Sequence, residues 1–237
     1  MPGSRTCGDR DVRSSDRNLT STTHHGKFVE CFSEGGVSSV CVNHPRFTRF
    51  YVWGQRYVEQ AVGEIREKQN SKAYGRTLIV GAGTGLDIPT LGSKVSEITL
   101  LEPDAHMRTY LKQTYDSLPL IPSTAETMDV GDGQFDTVIT SLVLCSVTNV
   151  RQVLSEIYRV LKPGGQYLFM EHVQHNEAVS RMVQNSLNPV WQHIAGGCQL
   201  NRKIADDINA SAFTTLECSL VKPHFLIPII AGQAIRI

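Results

Sequence analysis

The sequence predicts an α/β fold: a doubly wound sheet, mostly parallel, with an antiparallel last strand. Three observations carry this. From Thr77 onward, short apolar runs alternate with amphipathic ones, as parallel strands joined by crossover helices do. A glycine-rich loop, Val80-Gly81-Ala82-Gly83-Thr84-Gly85, follows the first of those strands. The final two apolar runs are joined by a connection too short for a crossover helix, which makes them an antiparallel pair at the sheet edge.

The elements follow in order. Residues 1–43 form an N-terminal extension, rich in Ser, Thr, Gly and small charged residues. Its first 26 residues read as disordered, and Lys27–Val42 as a loop or a short strand. The pattern changes at His44, where the domain at 44–237 begins and Phe47, Phe50, Tyr51, Val58 and Val62 recur at steps near three and four. That spacing predicts an amphipathic helix to about Lys68. Strands are expected at 77–80, 97–101, 118–121, 135–140 and 166–171, and at 216–221 and 231–237. A helix is expected after the glycine loop. Another spans 105–115 behind the N-cap Asp104. Val150–Leu161 carries its apolar residues on one face and stops at Lys162-Pro163-Gly164-Gly165. Further helices are expected at 177–192 and 202–212.

Composition narrows the function. Lys plus Arg and Asp plus Glu both total 23, so the formal net charge is zero and nothing argues for a nucleic-acid partner. No window approaches ~18 uninterrupted apolar residues, so no membrane span is expected. The N-terminal arginines alternate with Asp9, Asp11 and Asp16, unlike an organelle transit peptide, and a cytoplasmic location is expected. The six cysteines, at 7, 31, 41, 145, 198 and 218, form no CxxC pair. They read as reduced thiols, with no metal site expected.

The chemistry lies in the loop and the strand end beside it. At Gly81 or Gly83 a Cβ would intrude where a cofactor lies against the backbone. Glu102 ends the next strand nineteen residues after Gly83, close to the ~20 expected of a carboxylate that accepts hydrogen bonds from ribose hydroxyls. A dinucleotide fingerprint would place a third Gly or Ala where this chain has Leu86. The shorter loop suits a cofactor with no pyrophosphate, such as S-adenosylmethionine.

From His44 onward the chain resembles the class I, "type 11" S-adenosylmethionine-dependent methyltransferases, a Rossmann-like class. The stretches that carry the resemblance are LIVGAGTG, LLEPD, STAETM, GQFDTVITSLVLCSV and IYRVLKPGGQYLFMEHV. The last two, with NPVWQHIAGGCQLNR, are most similar to the methyltransferase-like group associated with thiol S-methylation. Animal members of that group carry an N-terminal hydrophobic anchor that this sequence does not show, so membrane attachment is not carried over.

The resemblance implies that Gly81, Gly83, Thr84 and Gly85 line the methionine and ribose of the cofactor and that Glu102 takes the ribose hydroxyls. It implies that Thr124 and Ala125 meet the adenine edge and that Ser141 and Leu142 flank the methionine moiety. Tyr51 would cover the carboxylate end, or serve as an ordinary core aromatic. His172, after the fifth strand of the domain, is the choice for a general base if one is used; otherwise it is a hydrogen-bonded loop histidine. Trp191 offers the acceptor pocket an apolar wall or packs the insert onto the sheet, and Cys145 sits nearby, where burial as a small hydrophobe is expected. The implied activity is methyl transfer to a small, partly apolar acceptor, a thiol first. A C- or O-methyltransferase of a quinone, sterol or lipid-like molecule, an NAD-linked oxidoreductase and a non-catalytic cofactor-binding protein stand as alternatives.

Overall fold

A computed structural model describes residues 28–32, 38–42 and 45–237. The expectation of disorder over residues 1–26 lies outside them. Phe28–Phe32 (β1) and Ser38–Val42 (β2) pair antiparallel as a separate two-stranded sheet, so the short-strand reading of that segment holds for these ten residues.

The main sheet has seven strands. In chain order they are Gly75–Val80 (β3), Val95–Leu101 (β4), Leu120–Ile121 (β5), Phe135–Ser141 (β6), Leu161–His172 (β7), Thr214–Lys222 (β8) and Ile229–Ile235 (β9). Their spatial order is β5-β4-β3-β6-β7-β9-β8. The first five run parallel, and β9 lies antiparallel between β7 and β8. The chain reverses its winding direction at β3, so the carboxyl ends of β3 and β6 flank the crevice where ligands bind in such sheets.

Both faces of the sheet are covered, as parallel strands require. Along β7, Tyr167 and Phe169 point into one core with helix α3 (Val150–Val160) and helix α5 (Ile204–Asn209). Leu168 and Met170 point to the other side. Met170 there meets Val62 of helix α1 (Pro45–Asn70). Helix α3 buries Val150, Val153, Leu154, Ile157 and Val160, each contributing about 1.5–3 kcal/mol through removal of apolar surface from water. Asn149 caps it, accepting from the Gln152 amide. Helix α2 (Ala105–Thr114) starts as expected at Asp104, whose carboxylate accepts from the His106 and Met107 amides.

Three expectations change. The helix after the glycine loop is one 3-10 turn, Ile88–Thr90, which ends where Leu91 takes extended backbone one residue before Gly92. Strand β7 begins at Leu161 rather than Gln166: Leu161 pairs with Phe135 across a register shift, and Arg236 donates to the Leu161 carbonyl. The helix expected over 202–212 contracts to α5, since Arg202 is spent on the carbonyls of Leu144 and Val147. Helix α4 (Ala178–Ile194) occupies the insert between β7 and α5. Among the described residues no helix is long and apolar enough to cross a membrane.

Candidate active site

The glycine loop bends tightly after β3. Gly81, Gly83 and Gly85 all have positive φ, at 66°, 56° and 85°. Their surroundings differ. A Cβ on Gly81 would meet Val143 Cγ2 at 2.7 Å, and one on Gly85 would meet Tyr115 at 2.6 Å. A Cβ on Gly83 would find no atom nearer than 3.9 Å. Gly81 and Gly85 are therefore required by the protein's own packing, whereas Gly83 faces open space. Beside it the Thr84 hydroxyl is buried without a partner.

Glu102 reaches across from β4 to this loop. One carboxylate oxygen accepts from the Gly83 amide at 2.8 Å and the other from the Asp104 amide at 2.8 Å. Full burial pushes its pKa up to about 7, against the lowering effect of the two amides. Each oxygen keeps a lone pair for a hydroxyl donor.

A buried polar cluster fixes helix α1 to the other side of the loop. Asp87 Oδ1 accepts from Arg66 Nη1 at 2.9 Å, Asn70 Nδ2 at 2.8 Å and Ser141 Oγ at 2.6 Å. Thus Ser141 sits at the end of β6 facing the loop, as its position in the sequence implies. Tyr51 is half-buried on α1, and burial raises its pKa, with Arg66, Asp87, Glu59 and Glu102 close enough to act on its hydroxyl. Leu142, next in the chain, has φ 60°, the one non-glycine residue with positive φ among those described. Such backbone costs of order 1–3 kcal/mol and collects at functional sites. Thr124 and Ala125 lie past β5, where Thr124 bridges Thr127 and Ala125 is buried.

The remaining residues gather one strand further along. His172 ends β7 and is 2% exposed. Cys198 Sγ lies 3.7 and 3.8 Å from its two ring nitrogens and accepts from Trp191 Nε1–H at 3.4 Å. Cys145, fully buried, donates to the Leu142 carbonyl at 3.3 Å. The ligand-type atoms of Cys145, His172 and Cys198 all lie within 4.8 Å of one another. The nearness of the two thiols lowers the pKa of Cys198 and raises that of Cys145, with burial raising the latter further; His172 and Trp191 favour the Cys198 thiolate. The indole of Trp191 is thereby tied to Cys198. The sequence missed Cys198 as a partner of His172, because residues 145, 172 and 198 come from three segments and no spacing links them.

The whole arrangement sits along the carboxyl ends of β3, β4, β6 and β7. The open glycine loop and the buried Glu102 carboxylate lie at one end, and the sulfur-rich cluster at the other. A methyltransferase-domain family model matches residues 78–169. The chain is 31% identical over 189 residues to the thiol S-methyltransferase TMT1B of Rattus norvegicus, which covers 73% of this chain and 75% of that protein. It is 32% identical to the human thiol S-methyltransferase TMT1A, over 67% of this chain and 70% of that protein. Two solved structures share the fold. An S-adenosylmethionine-dependent methyltransferase of Thermotoga maritima superposes with a TM-score of 0.59 at 18% identity, over 81% of this chain and 98% of that one. The geranyl diphosphate C-methyltransferase of Streptomyces coelicolor, bound to S-adenosylhomocysteine, gives 0.59 at 12% identity, over 82% and 83%.

The chain belongs to the class I S-adenosylmethionine-dependent methyltransferases, and S-adenosylmethionine is its methyl donor. Within that class it is close to the TMT1 group.

Proposed function

We propose that this enzyme transfers the methyl group to the sulfur of a small, partly apolar thiol. The observation that carries the reading is the relationship, above 30% identity over two thirds of the chain, to proteins named thiol S-methyltransferases. The chemistry of the site agrees with it. Gly83 and Thr84 leave room against the backbone, Glu102 offers acceptors for two ribose hydroxyls, and Ala125 gives the adenine an apolar neighbour. In this reading Ser141, Leu142 and Tyr51 enclose the methionine end.

The bound cofactor supplies an electrophilic methyl carbon on a sulfonium. The acceptor's sulfur lone pair forms the new S–C bond while the old one breaks, and that electron pair stays on the departing thioether. The protein's part is to align donor and acceptor and to exclude water. A thiol of pKa ~8.5 is partly ionised near neutrality, so turnover needs no strong base. Half-buried Trp191 and buried Cys145 supply an acceptor pocket of low polarity. A cytoplasmic setting and a small-molecule acceptor without nucleic acid belong to the same reading, in keeping with the free thiols and zero net charge.

The test is a turnover screen that detects S-adenosylhomocysteine with alkyl thiols, phenols and quinones offered separately. Turnover with thiols is expected. Turnover with phenols or quinones and none with thiols would overturn the acceptor assignment.

A further inference from the structure

The thiols of Cys145 and Cys198 and the imidazole of His172 converge at the carboxyl edge of the sheet, from β7, the loop after β6 and the segment after α4. Two soft sulfur ligands and one imidazole are the donors that zinc-type ions take, and three protein ligands leave a fourth tetrahedral position open. The spacing is near that of a site. Bonds of ~2.3 Å to sulfur and ~2.0 Å to nitrogen set the edges of a tetrahedral site at ~3.5 Å between nitrogen and sulfur and ~3.8 Å between sulfurs. All three ligand atoms lie within 4.8 Å of one another, and Cys198 Sγ stands 3.7 and 3.8 Å from the two His172 nitrogens, so a turn of the imidazole aims one nitrogen at the ion.

The surroundings are those of a built site. Gln199 donates its amide to the Cys145 carbonyl at 2.9 Å, and Arg202 Nη1 to the Leu144 carbonyl at 2.7 Å. These bonds fasten the segment bearing Cys198 to the one bearing Cys145. Trp191 Nε1–H points at Cys198 Sγ, the kind of outer hydrogen bond that orients a metal-bound thiolate. Two thiolates and a neutral imidazole around a divalent cation sum to zero charge, which suits burial. Cys145 is separated by one residue from Val143, whose side chain lies against Gly81, so the cluster adjoins the cofactor loop.

We infer that Cys145, His172 and Cys198 bind a divalent zinc-class cation whose open position takes the sulfur of the methyl acceptor. The role of the open position rests on the thiol reading above; the metal site does not. On coordination the acceptor thiol releases its proton to solvent. Its sulfur then attacks the sulfonium methyl, the donor C–S bond breaks with its electron pair going to the leaving thioether, and the neutral methylated product, a weaker ligand, departs. His172 is on this account a ligand rather than a base. The site is one that the spacing of cysteines in the sequence did not reveal.

The full chain, stripped with chelator and titrated with cobalt(II), is expected to show thiolate-to-metal charge transfer and the intense visible bands of a tetrahedral ion. One equivalent of zinc should survive desalting. A variant carrying Cys7→Ser, Cys31→Ser, Cys41→Ser and Cys218→Ser should retain both properties. Cys145→Ser, Cys198→Ser and His172→Gln should each lower zinc affinity by roughly 10²-fold or more. Absence of the thiolate bands from the four-cysteine variant, which keeps the whole cluster, would overturn the site without reliance on the ligand variants folding. A small alkyl thiol should shift the visible bands, and zinc should restore methylation lost on chelation. Thiol methylation at full rate in metal-free protein would reject the metal's role while leaving the acceptor assignment intact. Cobalt loading with neither a thiol-induced shift nor thiol turnover would reject the open-position role and the thiol reading, leaving the metal site.

Discussion

Glu102 and Gly83, nineteen residues apart in the chain, are joined by a 2.8 Å hydrogen bond from the Gly83 amide to the Glu102 carboxylate. The group proposed to hold the ribose is thus held by the loop proposed to cradle the cofactor. Glu102→Ala removes the ribose acceptor and orphans the amide together. S-adenosylmethionine binding should weaken by about 1–3 kcal/mol, roughly 5- to 150-fold. Titration calorimetry on the folded variant checks this, and unchanged affinity would take Glu102 out of the site.

The same carboxyl gives binding a pH dependence. Its pKa is about 7 before the cofactor arrives, and hydroxyls donating to the carboxylate favour the ionised form, so binding lowers it. A group whose pKa falls on binding releases a proton. Affinity should therefore rise with pH, by up to about tenfold per unit, and level off above pH 7. Calorimetric affinities between pH 5.5 and 8, as about five points, should show this bend, and Glu102→Gln should flatten it. An equal slope in the variant would place the titrating group elsewhere.

Gly81 and Gly83 should respond differently to the same substitution. Gly81→Ala drives a methyl into Val143 at positive φ, so it should lower the melting temperature strongly. Gly83→Ala meets nothing within 3.9 Å and should pay only the backbone strain of about 1–2 kcal/mol, while cofactor binding is lost. Melting curves with and without S-adenosylmethionine separate the two. Full cofactor stabilisation in Gly83→Ala would show that the loop is only a turn.

The Arg66–Asp87 pair should matter to folding more than its single ion pair suggests. Both side chains are nearly excluded from solvent, and the Asp87 oxygen also serves Asn70 and Ser141. Arg66→Leu leaves a buried carboxylate without a counter-charge, at a cost of about 3–5 kcal/mol. Urea unfolding should show a lower midpoint at unchanged slope. A loss under about 1 kcal/mol would mean that the Asn70 and Ser141 donors suffice.

Much of this was legible because local signals and long-range ones agreed. Short apolar runs placed β3, β4 and β6, the cap at Asp104 and the period-3.6 pattern placed α2 and α3, and Gly83 and Glu102 sat at a spacing fixed by one strand-turn-strand unit. The short connection between β8 and β9 announced an antiparallel pair. What stayed hidden depends on contacts between distant segments. Leu161 joins β7 only through pairing with Phe135, and Arg202 leaves the helix pattern for carbonyls near residue 145. The meeting of Cys145, His172 and Cys198 is set by how the insert folds back on the sheet, and no periodicity encodes that.

The position of β9 bears on how the chain is made. Among the described residues strand β8 pairs with β9 alone, and β7 meets β9 on the side away from β6. Both are synthesised before β9 leaves the ribosome. Until then the nascent chain presents the open edge of β7, whose residues from Gly165 to His172 are buried in the finished sheet. Such an apolar edge is a template for pairing with another chain. Emergence of some seven residues, Ile229–Ile235, closes it, and Arg236 then locks the end onto the carbonyls of Tyr158 and Arg159. The outer half of the sheet is therefore completed only once β9 has emerged, and any pause before β9 prolongs the interval in which the edge of β7 stays open.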